Sequence, residues 1–449
     1  MTHSKTNKIH LERRLGPVAA TSIVIGVVIG TGVFLKAAIM SQTVQSPTVV
    51  LWAWIAAGLL SLAGALTYAE LGSLFPKAGG EYVYLKEAYG PMTAFLFGWM
   101  RFAVGTPGSI AAFAVGGATF ASKVFNLEIV GGRVSFAISL ILVFSGLNCL
   151  TVAFGGRLQS IMTAIKLGLI VFIIGGIFSM SQSSTFEHIS SAAGGWPGLS
   201  AFGTAMLAAL WAFDGWNNLT FVGGEIKNPA RNVPLALILG MTVVLIIYGL
   251  ANLSFFYALP FNEVLSANSK SFPDALPVAT KAAATFLGEN GIWFLSIALA
   301  FSAIGGMNGS ILSGARIPFA MAQDKLFFKS LAKLHPKTHV PYVSIVVQAV
   351  IAIALASTGT FDQLTDYVVF SGWLFYALAT YSVFIFRKRM PDAPRSYKTI
   401  GYPVLPIVFV LSAVFLLINT VLTSPLEAVR GLSIIAAGIP LFLWIRRHT

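Results

Sequence analysis

Charge is the first thing this chain lacks. Only 10% of its 449 residues are Asp, Glu, Lys or Arg, against roughly 25% in soluble domains. A soluble globule of this size could not cover its surface with so few charges. Cysteine is almost absent: Cys149 stands alone in an apolar run, which excludes a secreted disulfide scaffold. Histidine is confined to tails and loops, at His3, His10, His188, His335, His339 and His448. Clustered metal or haem ligands within apolar segments are therefore excluded, and no metal or other cofactor is expected. No phosphate-cradling loop pattern occurs, which argues against an ATP-driven pump. Nor is there a ring-forming selectivity motif of the kind that marks channels. The first 14 residues are polar and basic, with no short apolar stretch leading to a cleavage site, so no cleavable signal is expected.

What is present is apolar sequence: 56% of the residues, with a mean hydropathy of +0.80. The runs last about 20 residues and do not alternate, which excludes a membrane β-barrel and leaves a polytopic helical membrane protein. A window of about 19 residues predicts twelve transmembrane helices, near 16–40, 47–74, 92–122, 131–153, 158–181, 198–226, 234–258, 290–322, 340–357, 361–386, 401–422 and 428–446. Turn and charge signals mark the breaks, among them Pro76-Lys77-Ala78-Gly79-Gly80 and Lys227-Asn228-Pro229. The longest connection, 259–289, is expected outside the cell with a short helix in it.

The net charge of +13 is explained by topology rather than by nucleic acid. With the N-terminus in the cytoplasm, twenty Lys and Arg fall in inside segments and six outside, at Lys36, Lys123, Arg133, Lys270, Lys281 and Arg430. This positive-inside bias places both termini in the cytoplasm, with the basic loops facing anionic lipid. Three basic residues remain within spans: Arg101, Lys166 and Arg316. Intramembrane charges are costly and are functional by default.

The first span reads Gly26-Val27-Val28-Ile29-Gly30-Thr31-Gly32 near its middle, and the sixth reads Trp211-Ala212-Phe213-Asp214-Gly215-Trp216-Asn217. Glycines and polar groups interrupt two apolar helices at corresponding places in two five-span blocks. Paired interruptions of this kind point to a transporter site, because irregular backbone survives at mid-membrane only where it is buried or lines a cavity. Helix N-termini there suit a carboxylate and exposed carbonyls suit an ammonium. An α-amino acid carries both groups. Close packing of small residues is the competing explanation of the glycines.

These segments resemble the amino acid–polyamine–organocation superfamily and, within it, the L-type amino acid transporters. The carrying residues are Gly26-x-x-x-Gly30-Thr31-Gly32-Val33-Phe34, Pro76-Lys77-Ala78-Gly79-Gly80-Glu81-Tyr82, Gly224-Glu225-Ile226-Lys227-Asn228-Pro229 and Asn308-Gly309-Ser310 with Ser313-Gly314-Ala315-Arg316. The resemblance spans essentially the whole chain. It implies a leucine-transporter-type fold with 5+5 inverted repeats and broken helices 1 and 6. The expected division is a cytoplasmic tail 1–15, a first repeat 16–181, an inverted repeat 198–386 and two peripheral helices in 401–446. It implies sodium-independent exchange of small or medium neutral L-amino acids across the plasma or inner membrane, and no enzymatic activity. A proton-coupled symporter, or an exchanger of cationic amino acids or amines, are the alternatives. Animal relatives join a glycoprotein heavy chain through a cysteine between spans 3 and 4. Residues 122–133 hold none, so no disulfide-linked heavy chain is expected.

By this resemblance Gly30, Thr31 and Gly32 offer amides to the substrate carboxylate, with Val28 a neighbouring contact. Trp211, Ala212 and Asp214 offer carbonyls to its ammonium, and the Trp211 ring is a candidate gate. Asp214 has three readings: cap of the second half of its helix, direct ligand of the ammonium, or proton carrier. Lys166 either snorkels to the cytoplasmic face or, as in the family, occupies the place where sodium-coupled relatives hold a cation. In that second role it is expected to bond to backbone near Gly26 and to the Ser302 hydroxyl. Glu70, Glu225, Arg316 and Asp324 read as gate and anchor pairs. Arg101 receives no role.

Overall fold

The computed structural model describes residues 11–181, 185–190, 195–269, 271–272, 275–358 and 361–448, with only the backbone described for 361–371. His3, His10 and Lys270 lie outside these. The described residues form helices joined by turns. Their one isolated β-type pairing is a parallel bridge between Leu15 and Ile226.

The first span is built from α1 (Pro17–Val28) and α2 (Gly32–Val44). Proline at the first helical position of α1 loses an amide that has no intrahelical acceptor anyway. Then come α3 (Pro47–Leu74), α4 (Glu81–Tyr89), α5 (Pro91–Met100) and α6 (Thr106–Ala121). A π-helical turn, Arg101–Gly105, sits between α5 and α6. Next are α7 (Gly132–Asn148) and α8 (Val152–Met180). Thr151 starts α8 by accepting the Phe154 amide at 3.1 Å, a side-chain cap.

The second part holds α9 (Glu187–Ser190), α10 (Leu199–Ala212), α11 (Asn218–Phe221) and α12 (Pro229–Ala258). The 259–289 connection carries two helices rather than one, α13 (Phe261–Leu265) and α14 (Val278–Leu287). The chain continues through α15 (Asn290–Gly314), α16 (Arg316–Gln323), α17 (Tyr342–Thr358) and α18 (Phe361–Arg389). It ends in α19 (Val404–Thr423), α20 (Pro425–Ala436) and α21 (Gly438–His448). Eight stretches of the described residues are long and apolar enough to cross a bilayer.

The interior is organised around α1, which packs on α8, α12 and α15, while α10 packs on α2 and α3. Small residues permit the approach: a Cβ on Gly240 of α12 would stand 2.6 Å from Val24 of α1. Large apolar side chains such as Trp52, Leu142, Phe172 and Leu411 point outward, as a lipid-facing surface requires.

Candidate substrate site

Both predicted interruptions are real breaks. The first falls at residues 29–31, between α1 and α2, and the second at 213–217, between α10 and α11. Gly215 adopts φ +104°, and a Cβ there would lie 2.6 Å from Val27. Only glycine turns the chain at that angle in that space. The breaks are pressed together. A Cβ on Gly32 would stand 2.7 Å from the Ala212 Cβ and 2.9 Å from its Cα.

A cavity of about 50 Å³ opens between the breaks, lined by Val28, Gly30, Thr31, Gly32, Trp211, Ala212 and Asp214 among others. Since one water takes roughly 10–15 Å³ on this scale, the space suits a small solute. The first turn of α2 brings backbone amides without intrahelical acceptors to this cavity. Of the three expected amides, that of Gly30 is already committed, donating to the Val28 carbonyl at 2.7 Å. Thr31 and Gly32 begin α2. The Asp214 carboxylate does not cap α11: the cap position is Asn217, with no side-chain bond. Asp214 accepts instead from the Tyr376 hydroxyl at 2.6 Å. The Trp211 ring carries the Lys36 ammonium at 4.4 Å from its centroid, a cation–π contact.

Lys166 is 1% exposed and does not snorkel. Its Nζ donates to the Gly26 carbonyl at 2.9 Å and to the Ile29 carbonyl. The Ser302 hydroxyl donates to the carbonyls of Gly30 at 3.1 Å and Ile29 at 3.3 Å. Lys166 and Ser302 thus meet through the shared Ile29 carbonyl, not through the direct bond expected from the sequence. The reason lies in the break itself, whose freed carbonyls are closer acceptors than a hydroxyl one helix away.

Several participants carried no clear signal in the sequence. Tyr248, an aromatic residue in the apolar run of α12, places its hydroxyl 2.8 Å from the Val28 carbonyl and 3.0 Å from that of Ala212. One hydroxyl therefore serves both breaks. Asn148 donates to Asn308, and Asn308 donates to Gln159. Polar amides inside apolar runs could have flagged that chain, but not its order.

The carboxylates and bases read as anchors do pair. Arg316 and Glu225 form a fully buried two-pronged pair, with Nε–Oε2 2.7 Å and Nη2–Oε1 2.9 Å. Arg387 holds Glu70, and Lys86 holds Asp324. Glu81, in the connection between α3 and α5, is buried. Its Oε1 accepts from Tyr68 at 2.6 Å and from Asn217 at 3.0 Å, while its Oε2 has no partner among the described residues. Burial pushes its carboxyl up to about 7, against the hydrogen bonds and the Arg101 charge that favour the ionised form.

Comparison with known proteins gives this geometry its family. The amino acid permease model matches residues 15–444. The chain belongs to the amino acid permease family. This permease is 34% identical over 445 residues to the serine/threonine exchanger SteT of Bacillus subtilis (strain 168), covering 98% of each chain. It is 31% identical over 421 residues to the human b(0,+)-type amino acid transporter 1, covering 92% of this chain and 84% of the relative. Identity to the human large neutral amino acids transporter small subunit 2 is 30% over 451 residues, covering 97% and 80%. The family and these relatives are transporters, not enzymes, and the permease is a multi-pass membrane protein. The resemblance read from the span 1, span 6 and span 8 motifs agrees with this assignment.

Proposed function

We propose that this permease is a sodium-independent, obligatory exchanger of small or medium neutral L-amino acids, working by alternating access across the plasma or inner membrane. The observation that carries the reading is the Lys166 ammonium on the carbonyls of Gly26 and Ile29. A fixed cation beside the first break does what a bound sodium ion would do there: it satisfies the freed carbonyls and holds the break open. The substrate carboxylate then lies on the amides of Thr31 and Gly32 beside Val28. Its ammonium lies on carbonyls of the second break, from Trp211 to Asp214. Trp211, steadied by Lys36, closes the outer side.

The same reading gives the chain twelve transmembrane helices in a leucine-transporter-type 5+5 arrangement. A cytoplasmic tail (1–15) precedes repeats 16–181 and 198–386, and two peripheral helices follow in 401–446. The breaks at 29–31 and 213–217, each in the leading span of its block, support that division. The lysine and arginine distribution supports two cytoplasmic termini bordered by anionic lipid, and a cysteine-free 122–133 segment supports a carrier without a disulfide-linked heavy chain. The test is counterflow in sealed proteoliposomes. Internal alanine should drive uptake of labelled alanine equally with and without sodium, and sodium-driven accumulation into empty vesicles would refute the reading.

Proton coupling is the second reading, and Glu81 favours it. Asn217 donates to Glu81, and the Tyr376 hydroxyl lies within hydrogen-bond reach of both Asn217 Oδ1, at 3.4 Å, and Asp214. Uptake into empty vesicles driven by a pH gradient alone would establish it. Arg101, which lines the cavity, weighs against cationic side chains and simple amines as substrates.

A further inference from the structure

Three residues that line the cavity, Arg101, Thr31 and Ser310, each carry a buried polar atom (Nε, Oγ1 and Oγ) that has no hydrogen-bond partner among the described residues. They come from three separate elements. Thr31 belongs to the first break, and Ser310 sits on α15, which packs against α1. Arg101 opens the π-helical turn Arg101–Gly105, and such turns are frequent at functional sites. Arg101 is 4% exposed. Its Nη2 donates to Asn218 at 3.1 Å, and its guanidinium lies 5.2 Å from the Phe221 ring centroid. These contacts fix the guanidinium plane and leave Nε idle. A buried donor without an acceptor is costly, and a guanidinium offers five donors and accepts none.

We propose that Arg101 and Ser310 form a side-chain subsite that selects amino acids bearing an oxygen acceptor on a short side chain. The proposal rests on the reading of this cavity as an amino-acid site. Thr31 serves the α-carboxylate end, so the acceptor that remains for Arg101 and Ser310 is supplied by the substrate's side chain. Asp214 lines the same cavity and offsets the Arg101 charge. The bound species therefore needs no net charge, and a hydroxyl or amide oxygen suffices. A cationic side chain meets Arg101 and is rejected. The small cavity limits the side chain to a few heavy atoms.

The experiment is competition against labelled alanine in counterflow, using side chains matched in shape. Threonine and valine differ by a hydroxyl for a methyl, and asparagine and leucine by an amide for an isopropyl end. In the wild type, threonine should compete at least about tenfold better than valine, the range expected for a hydrogen bond to a charged group. Arg101→Met should move the ratio towards one by weakening threonine more than valine, and Ser310→Ala should do so in part. Arg101→Lys, which keeps a cationic donor, should retain some of the preference. Equal competition by threonine and valine in the wild type overturns the subsite while leaving transport intact. So does an Arg101→Met loss of equal proportion for both, which marks Arg101 as a tether to Asn218 only. Absence of counterflow with every amino acid overturns the transport reading instead.

Discussion

Arg316 reaches Glu225 across 91 residues of sequence and grips both of its carboxylate oxygens, with neither side chain exposed to solvent. A third Arg316 donor goes to the Leu312 carbonyl. Removing one partner strands a buried charge, which costs about 3–5 kcal/mol, whereas replacing both by apolar groups is often neutral. Arg316→Met alone should therefore lower the melting temperature of the detergent-purified protein sharply. Arg316→Met with Glu225→Leu should recover most of that loss, as scored by intrinsic tryptophan fluorescence. A double variant no more stable than the single one would contradict the pairing argument.

Lys166→Ala should cut exchange more than it cuts stability. The variant leaves the carbonyls of Gly26 and Ile29 without their cation, and hydrogen bonds to a charged group contribute about 1.5–3 kcal/mol each. If the loss falls on one conformational state, the inward–outward balance shifts by tenfold or more. Lys166→Arg should rescue poorly, because a planar fork does not fit the place of a compact ammonium. Initial rates and apparent affinities from both membrane faces provide the check.

Tyr248→Phe removes the hydroxyl that joins the Val28 and Ala212 carbonyls while keeping the ring against Trp54 and Phe213. Leaving buried carbonyls unpaired costs about 1–3 kcal/mol. Apparent substrate affinity should weaken by about 5- to 150-fold, with expression near normal. Saturation curves for alanine exchange measure it.

Gly32→Ala should abolish transport, because the added carbon meets the Ala212 backbone and not merely a side chain that can swing away. Gly16→Ala is the control, since no atom of the described residues lies within 4 Å of a Cβ at that position. Parallel uptake assays at matched protein levels distinguish the two.

Glu81 should contribute a pH-dependent part of the stability. Its carboxyl is pushed from 4.5 up to about 7 by burial. Below about pH 4.5 it is protonated folded or unfolded, and its contribution is unchanged. Between 4.5 and 7 the unfolded chain releases the proton and the folded one keeps it, so stability falls as pH rises, and above 7 the loss is constant. At 1.36 kcal/mol per unit the full effect is on the order of 3 kcal/mol. Glu81→Gln should flatten that slope in melting curves taken from pH 5 to 8.

The helices and their breaks were legible because both leave local marks: long apolar runs, and the Gly-Thr-Gly and Asp-Gly interruptions. The placement of Lys166 was legible because a charge in an apolar run stands out. What it touches was harder to read, since the acceptors exist only once α1 ends at Val28. Arg101 stood out equally, yet its partner Asn218 lies 117 residues away, and nothing local announces a π-helical turn. Tyr248 was invisible: an aromatic residue in an apolar helix looks the same whether it faces lipid or two broken strands of backbone. Asp214 suits a cap by residue type, but Tyr376 from α18 claims its carboxylate.

The short pairing at Leu15 has mechanical meaning. Its amide donates to the Glu225 carbonyl at 2.9 Å, and its carbonyl accepts from Lys227 at 2.8 Å. Helix α1 starts two residues later, and the Glu225 side chain is the one that Arg316 grips. The tail is thus a strap whose buckle sits on the clasp between α15–α16 and the second broken span. Tilting α1 must either tear two backbone bonds or drag that clasp along, so three parts of the bundle are geared to a single tooth.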